Sequence, residues 1–128
     1  MQDKFIIALK IKKTIEYIKK VVDNYPHGYV VLKNNIMESL YTLLRLSYKA
    51  SIHKDIEIMK DIVVEIKMIE YFISVSCNYE LISYKKFTNV GKYLLEINAM
   101  VNSWIKNETS RKPIPQDNWY KKYQEYVW

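Results

Sequence analysis

The chain has very little with which to turn. Its 128 residues include two glycines, Gly28 and Gly91, and three prolines, Pro26, Pro113 and Pro115. No proline interrupts the stretch between Gly28 and Lys112. Sheets need a turn every few residues, and tight turns draw on glycine and proline for backbone dihedrals that other residues avoid. The composition therefore argues against a sandwich, a barrel and a doubly wound α/β fold. It also rules out a glycine-rich phosphate loop, because no two glycines lie near one another. What remains is long helices joined by a few links. The length suits one domain, large enough to bury a core without metal or disulfide staples.

The apolar residues repeat accordingly. Over residues 3–24, Ala8, Ile11, Ile15, Ile18 and Val22 keep the 3-4 spacing of one helix face, with Lys12, Lys13, Glu16, Lys19 and Lys20 off it. Tyr25, Pro26, His27 and Gly28 form a break, Pro26 restricting the residue before it and Gly28 supplying a turn. Over 29–50 there are two stripes: Ile36, Leu40, Leu43, Ser47 and Ala50, and beside them Met37, Tyr41, Leu44 and Tyr48. One stripe is enough for a monomeric bundle, so the second points to burial against another copy. Over 53–76, Ile56, Met59, Val63, Ile66 and Ile73 recur, widened by Ile62, Ile69 and Phe72. After a link at 77–82, Ser83 is a candidate N-cap. Phe87, Val90, Leu94, Ile97, Val101 and Trp104 then run unbroken to Lys106. Four helices of roughly 33–38 Å, joined by short links, predict an all-α fold: an antiparallel up-and-down four-helix bundle over residues 1–107.

Residues 108–128 form a separate tail. Its first part, 108–115, reads as a linker; its last ten residues hold Trp119, Tyr120, Tyr123, Tyr126 and Trp128. Disordered segments are poor in aromatics, so this one is expected to dock. It has three readings: packing on its own bundle or a sister subunit, an anchor for a protein partner, or stacking on bases.

The residues that carry most enzyme chemistry are missing. His27 and His53 are the only histidines, one in a turn and one near a helix start, and both are expected at the surface. Ferritin-like bundles bind metals through Glu-x-x-His pairs, which do not occur here. Glu57, Asp61 and Glu65, interleaved with lysines, read as a solvated face. Cys77, the only cysteine, reads as a small buried or half-buried residue. No nucleophile elbow, P-loop or zinc spacing is present. The expectation is no catalytic residue, no metal and no cofactor. A lone cysteine fits a reducing compartment. The N-terminus lacks the order of a signal peptide, and no stretch approaches the roughly 20 apolar residues of a membrane span, so the sequence reads as cytoplasmic.

Net charge is +6, from 18 Lys and two Arg against 14 acids. The excess is spread over the chain and absent from residues 53–79. A basic surface suggests an anionic partner such as nucleic acid, whereas isolated lysines on one chain serve equally as a solubilising face. Within residues 3–24, Glu16 and Lys20 have the favourable order for an i,i+4 pair. Oligomerisation shifts the balance, because several copies multiply the same charge.

The fourth helix is the most specific part of the sequence. Ile82-Ser83-Tyr84-Lys85-Lys86-Phe87, followed by the run from Leu94 through Trp104-Ile105-Lys106, resembles the last helix of the Avd family, the accessory variability determinants of diversity-generating retroelements. Tyr25-Pro26, Leu32 and a helix ending Tyr48-Lys49-Ala50 resemble that family's first loop and second helix, and Ile66-Lys67 matches a position in its third; the resemblance covers about residues 5–107. The chain departs from the family pattern at His27-Gly28, Tyr71, Asn98, Ala99 and Asn102. The resemblance implies a non-catalytic bundle that assembles into a basic homopentamer and binds a reverse transcriptase and its template RNA, with DNA as a further candidate. Such an assembly supports mutagenic complementary-DNA synthesis. On this reading the residues for phosphate contact are Lys12, Lys13, Lys19 and Lys20, with Lys67, Lys85, Lys86 and Lys92 behind them. The candidate oligomer interface is Met37, Tyr41, Leu44 and Tyr48, with Trp104. The alternatives are a bundle of the kind encoded in ribosomal-RNA intervening sequences, a protein-interaction module acting through its tail, and an enzyme without a recognisable motif.

Overall fold

A computed structural model describes the backbone of residues 2–111 and the side chains of residues 6–110. These residues form α1 (Gln2–Val22), a 3-10 turn (His27–Tyr29), α2 (Val30–His53), α3 (Ile56–Asn78) and α4 (Tyr84–Arg111), with no strand. Each helix packs along the next and α4 closes back onto α1, while α1 and α3, like α2 and α4, stand across the diagonal of one shared core. This is the expected antiparallel four-helix bundle. The aromatic residues of the tail, from Trp119 onward, lie outside the described residues.

The stripes read for three of the helices are the ones buried, except that Phe87, first in the stripe of α4, is half-buried. Ala8, Ile11, Ile15, Ile18 and Val22 of α1 meet Ile36, Leu40, Leu43, Ser47 and Ala50 of α2 and Val90, Leu94, Ile97, Val101 and Trp104 of α4. On α3 the buried set is Met59, Ile62, Ile66, Ile69 and Ile73. Ile56, Val63 and Phe72 are only half-buried. At about 1.5–3 kcal/mol for each large aliphatic side chain taken out of water, this shared interior is the main favourable term in folding.

The links are short, and side chains cap the starts of α3 and α4 but not that of α2. Asp55 is the N-cap of α3, its Oδ1 accepting from the Glu57 N–H at 2.9 Å. Ser83 caps α4 as expected, its Oγ accepting from the Lys86 N–H at 3.2 Å. Two expectations need correction. Gly28 has an ordinary negative φ, and the turn at 26–29 is closed by the Tyr29 N–H donating to the Pro26 carbonyl at 2.9 Å, so glycine is not what makes it. Among the described residues the left-handed positions are Lys54 (φ 52°), ending α2, and Glu80 (φ 60°), after α3. Finally, Glu108, Thr109, Ser110 and Arg111 are the last turn of α4, not linker. Pro113 biases only Lys112 away from helical dihedrals, so nothing stops the helix before Arg111.

Candidate nucleic-acid interface

The core stripe of α1 dictates where its lysines go. With Ile11, Ile15 and Ile18 inward, Lys12, Lys13, Lys19 and Lys20 must point out, and all four are exposed. Neighbours in sequence then diverge to opposite seams. Lys12 leans toward α2, its Nζ 5.8 Å from the centroid of the Tyr48 ring. Lys19 follows one heptad on; it pairs with Asp23 at 3.5 Å, and Lys33 of α2 reaches the same carboxylate at 3.3 Å. The Lys33 hydrogen bond, with Lys19 assisting, holds the exposed Asp23 carboxyl below the usual range. Lys13 leans the other way, onto the α1/α4 seam with Glu96, Ala99 and Met100. The favourable Glu16–Lys20 spacing is not used: the ion pair formed in this turn is Lys19–Asp23.

The α1/α4 seam is the most structured part of this surface. Tyr17 stacks on Tyr93 with centroids 5.0 Å apart, and the Asn89 amide donates to the Tyr17 hydroxyl at 3.3 Å. Lys10 pairs with Glu96 and lies 5.0 Å from the Tyr93 centroid. Lys92 borders the same hollow, with Tyr17 and Asn89. In this antiparallel register Lys20, one turn beyond Tyr17, falls toward the first turn of α4, which carries Lys85 and Lys86. Among the described residues Lys13, Lys20, Lys85, Lys86 and Lys92 form no ion pair, so their charge is available to an outside anion. Lys67 is not part of this group. It sits on α3, across the diagonal from α1, paired with Glu70 at 3.8 Å.

Charge is accordingly uneven around the bundle. α1 has six lysines against Asp3 and Glu16, and α4 has four lysines and Arg111 against Glu96 and Glu108. α3 has Lys60 and Lys67 against four acids. The basic side is the α1/α4 flank.

The second stripe of α2 is divided. Tyr41 and Tyr48 are 47% and 44% exposed. Met37 and Leu44 are half-buried against the chain's own core. Trp104, 8% exposed, is spent on that core and leaves little for a second chain. Sequence reading missed another apolar row: Val64, Met68 and Tyr71 are exposed on α3. Their 4-3 spacing beside the core stripe was the available signal.

Groups with reaction chemistry are dispersed. His27 and His53 are at the surface, Cys77 is half-buried, and Glu57 and Asp61 face solvent, Glu57 pairing with Lys60 at 3.4 Å. Among the described residues no cluster of His, Cys, Asp or Glu could hold a metal ion, and no helix is long and apolar enough to cross a membrane. Among curated proteins none matches the sequence significantly. The model of the bAvd-like family, however, matches residues 5–108, the whole bundle and the same stretch that carries the resemblance in sequence. A match over most of the chain, on a four-helix bundle whose last helix holds the distinctive residues, means that this chain belongs to the bAvd-like family.

Proposed function

We propose that this chain is a non-catalytic accessory protein of a diversity-generating retroelement, a cytoplasmic subunit that assembles with copies of itself, as a pentamer, and binds a reverse transcriptase together with its template RNA. Family membership supplies the frame. The observation that carries the reading is the α1/α4 flank, where Lys13, Lys20, Lys85, Lys86 and Lys92 form no ion pair. Such lysines hold a phosphate backbone by charge, without reading bases, and release counterions as they do so. Repetition of the flank around an assembly multiplies the attraction. The exposed Tyr41 and Tyr48 support contact between copies.

Fluorescence anisotropy with a labelled RNA tests this directly. Binding to single-stranded RNA is expected at low salt and weakens steeply, by about three-hundredfold for six phosphate contacts, between about 50 and 200 mM. Replacing Lys13, Lys20, Lys85 and Lys92 by Gln lowers the slope of log K against log salt by roughly 3, and Lys67→Gln leaves it nearly unchanged. Absence of binding at low salt, or binding indifferent to salt, overturns the proposal.

A further inference from the structure

The basic flank is more than a field of lysines. Between α1 and α4 it holds a hollow of about 370 Å³, lined by Lys10, Tyr17, Asn89, Lys92, Tyr93 and Glu96. That is the small end of the range for small-molecule sites, roughly 300–1,000 Å³. Tyr17 and Tyr93 are stacked on one another and only half-buried, so ring surface is left open. Asn89 spends one amide N–H on the Tyr17 hydroxyl. That hydroxyl, having accepted, keeps its own O–H to donate, and Asn89 keeps its carbonyl oxygen to accept. The Lys10–Glu96 ion pair stands at one end, with Lys10 also over the Tyr93 ring. The lining is therefore aromatic and polar together, which suits a flat heteroaromatic ring better than an aliphatic group. Around it, Lys13 and Lys20 on α1 and Lys85 and Lys92 on α4 each stand one heptad apart, and none forms an ion pair among the described residues.

We propose that this hollow receives one unpaired base of a single-stranded RNA whose phosphates lie along the surrounding lysines. The inference rests on the reading of the flank as an RNA surface, and adds a contact that charge alone does not give. Charge sorts the two parts of a nucleotide. The Glu96 carboxylate repels a phosphate from the hollow itself, while Lys10 neutralises it toward an uncharged ring. The unpaired lysines outside take the phosphates. Chemistry supports the guest: a base offers a π face to Tyr17 and Tyr93, and donors and acceptors on its edge to the Tyr17 hydroxyl and Asn89. In a duplex both are already used, by stacking and by pairing, so only a strand with unpaired bases satisfies the site. Little sequence preference is expected, because every base has a π face.

The test compares, by anisotropy at about 50 mM salt, a short labelled single strand with an abasic strand of the same length, so that the phosphates match. The intact strand is expected to bind the full chain about tenfold more tightly, the effect of one stacked base. Tyr93→Leu and Asn89→Ala each bring the intact strand down toward the abasic one. Both leave the abasic affinity unchanged, which verifies that the bundle and its lysines are intact. Lys85→Gln, outside the hollow, weakens both strands alike. Equal affinity for intact and abasic strands overturns the proposal and leaves the phosphate reading standing. A ratio indifferent to Tyr93→Leu and Asn89→Ala places the base elsewhere and also overturns it. Failure of both strands to bind overturns this inference and the phosphate reading together. Adenosine monophosphate at micromolar concentration is expected not to displace the strand; displacement assigns the hollow to a free nucleotide and overturns its role in holding a strand.

Discussion

Tyr25 sits where α1 hands over to the turn, 8% exposed, with a buried hydroxyl that has no hydrogen-bond partner. Burial pushes its phenol above the ordinary 10.0, and the nearby Ser76 hydroxyl opposes this to a lesser extent. Because the folded value exceeds the unfolded one, stability is full below about pH 10 and is lost as pH rises through the folded value. Tyr25→Phe removes an unsatisfied hydroxyl and keeps the ring, so urea unfolding at pH 7 is expected to show it neutral to stabilising. The same variant flattens the alkaline loss. Asp23 behaves oppositely: its lowered pKa contributes above the ordinary carboxyl range and is lost on acidification. Glu80 offers a second residue-level test. After α3 the Leu81 N–H donates to Ser76 O at 2.9 Å and the Glu80 N–H to Cys77 O at 2.9 Å, a Schellman closure with glutamate in the left-handed place glycine usually takes. Glu80→Gly is expected to raise stability by about 1 kcal/mol in denaturant titration.

At the scale of the helix, periodicity was enough for α1, α2 and α4: α1 and α4 each have one continuous apolar stripe, and of the two on α2 the more aliphatic one, Ile36, Leu40, Leu43, Ser47 and Ala50, is buried. Periodicity misjudged the rotation of α3, where apolar residues occupy so many positions that several stripes compete. The packing of α3 against α2 and against α4 decides, selecting Ile62 and Ile69 over Ile56 and Val63. Ends were less legible than faces. α2 runs past Ala50 to His53 and stops at a left-handed lysine, for which sequence has no marker. The lysines show the same boundary. Their absence from the core could be read, but Lys12 and Lys13, one residue apart, go to different seams, and only the neighbouring helices determine which. Within α4, a Cβ on Gly91 meets no atom within 4 Å. Gly91→Ala therefore removes only backbone freedom, and thermal unfolding is expected to show about 0.5–1 kcal/mol of stabilisation.

On the scale of the whole molecule, one bundle has a modest positive charge concentrated on the α1/α4 flank, an acidic α3 opposite α1, and exposed rings on α2. A single such chain is a weak ligand for nucleic acid, whereas a closed ring presents the flank several times over. Self-association is therefore what the functional account most depends on. Sedimentation equilibrium at micromolar concentration tests it: the account predicts a mass several times the 15.4 kDa of one chain, five times for the proposed pentamer, falling when Tyr41→Glu and Tyr48→Glu are combined. A single species at the one-chain mass, unaltered by those substitutions, would contradict it.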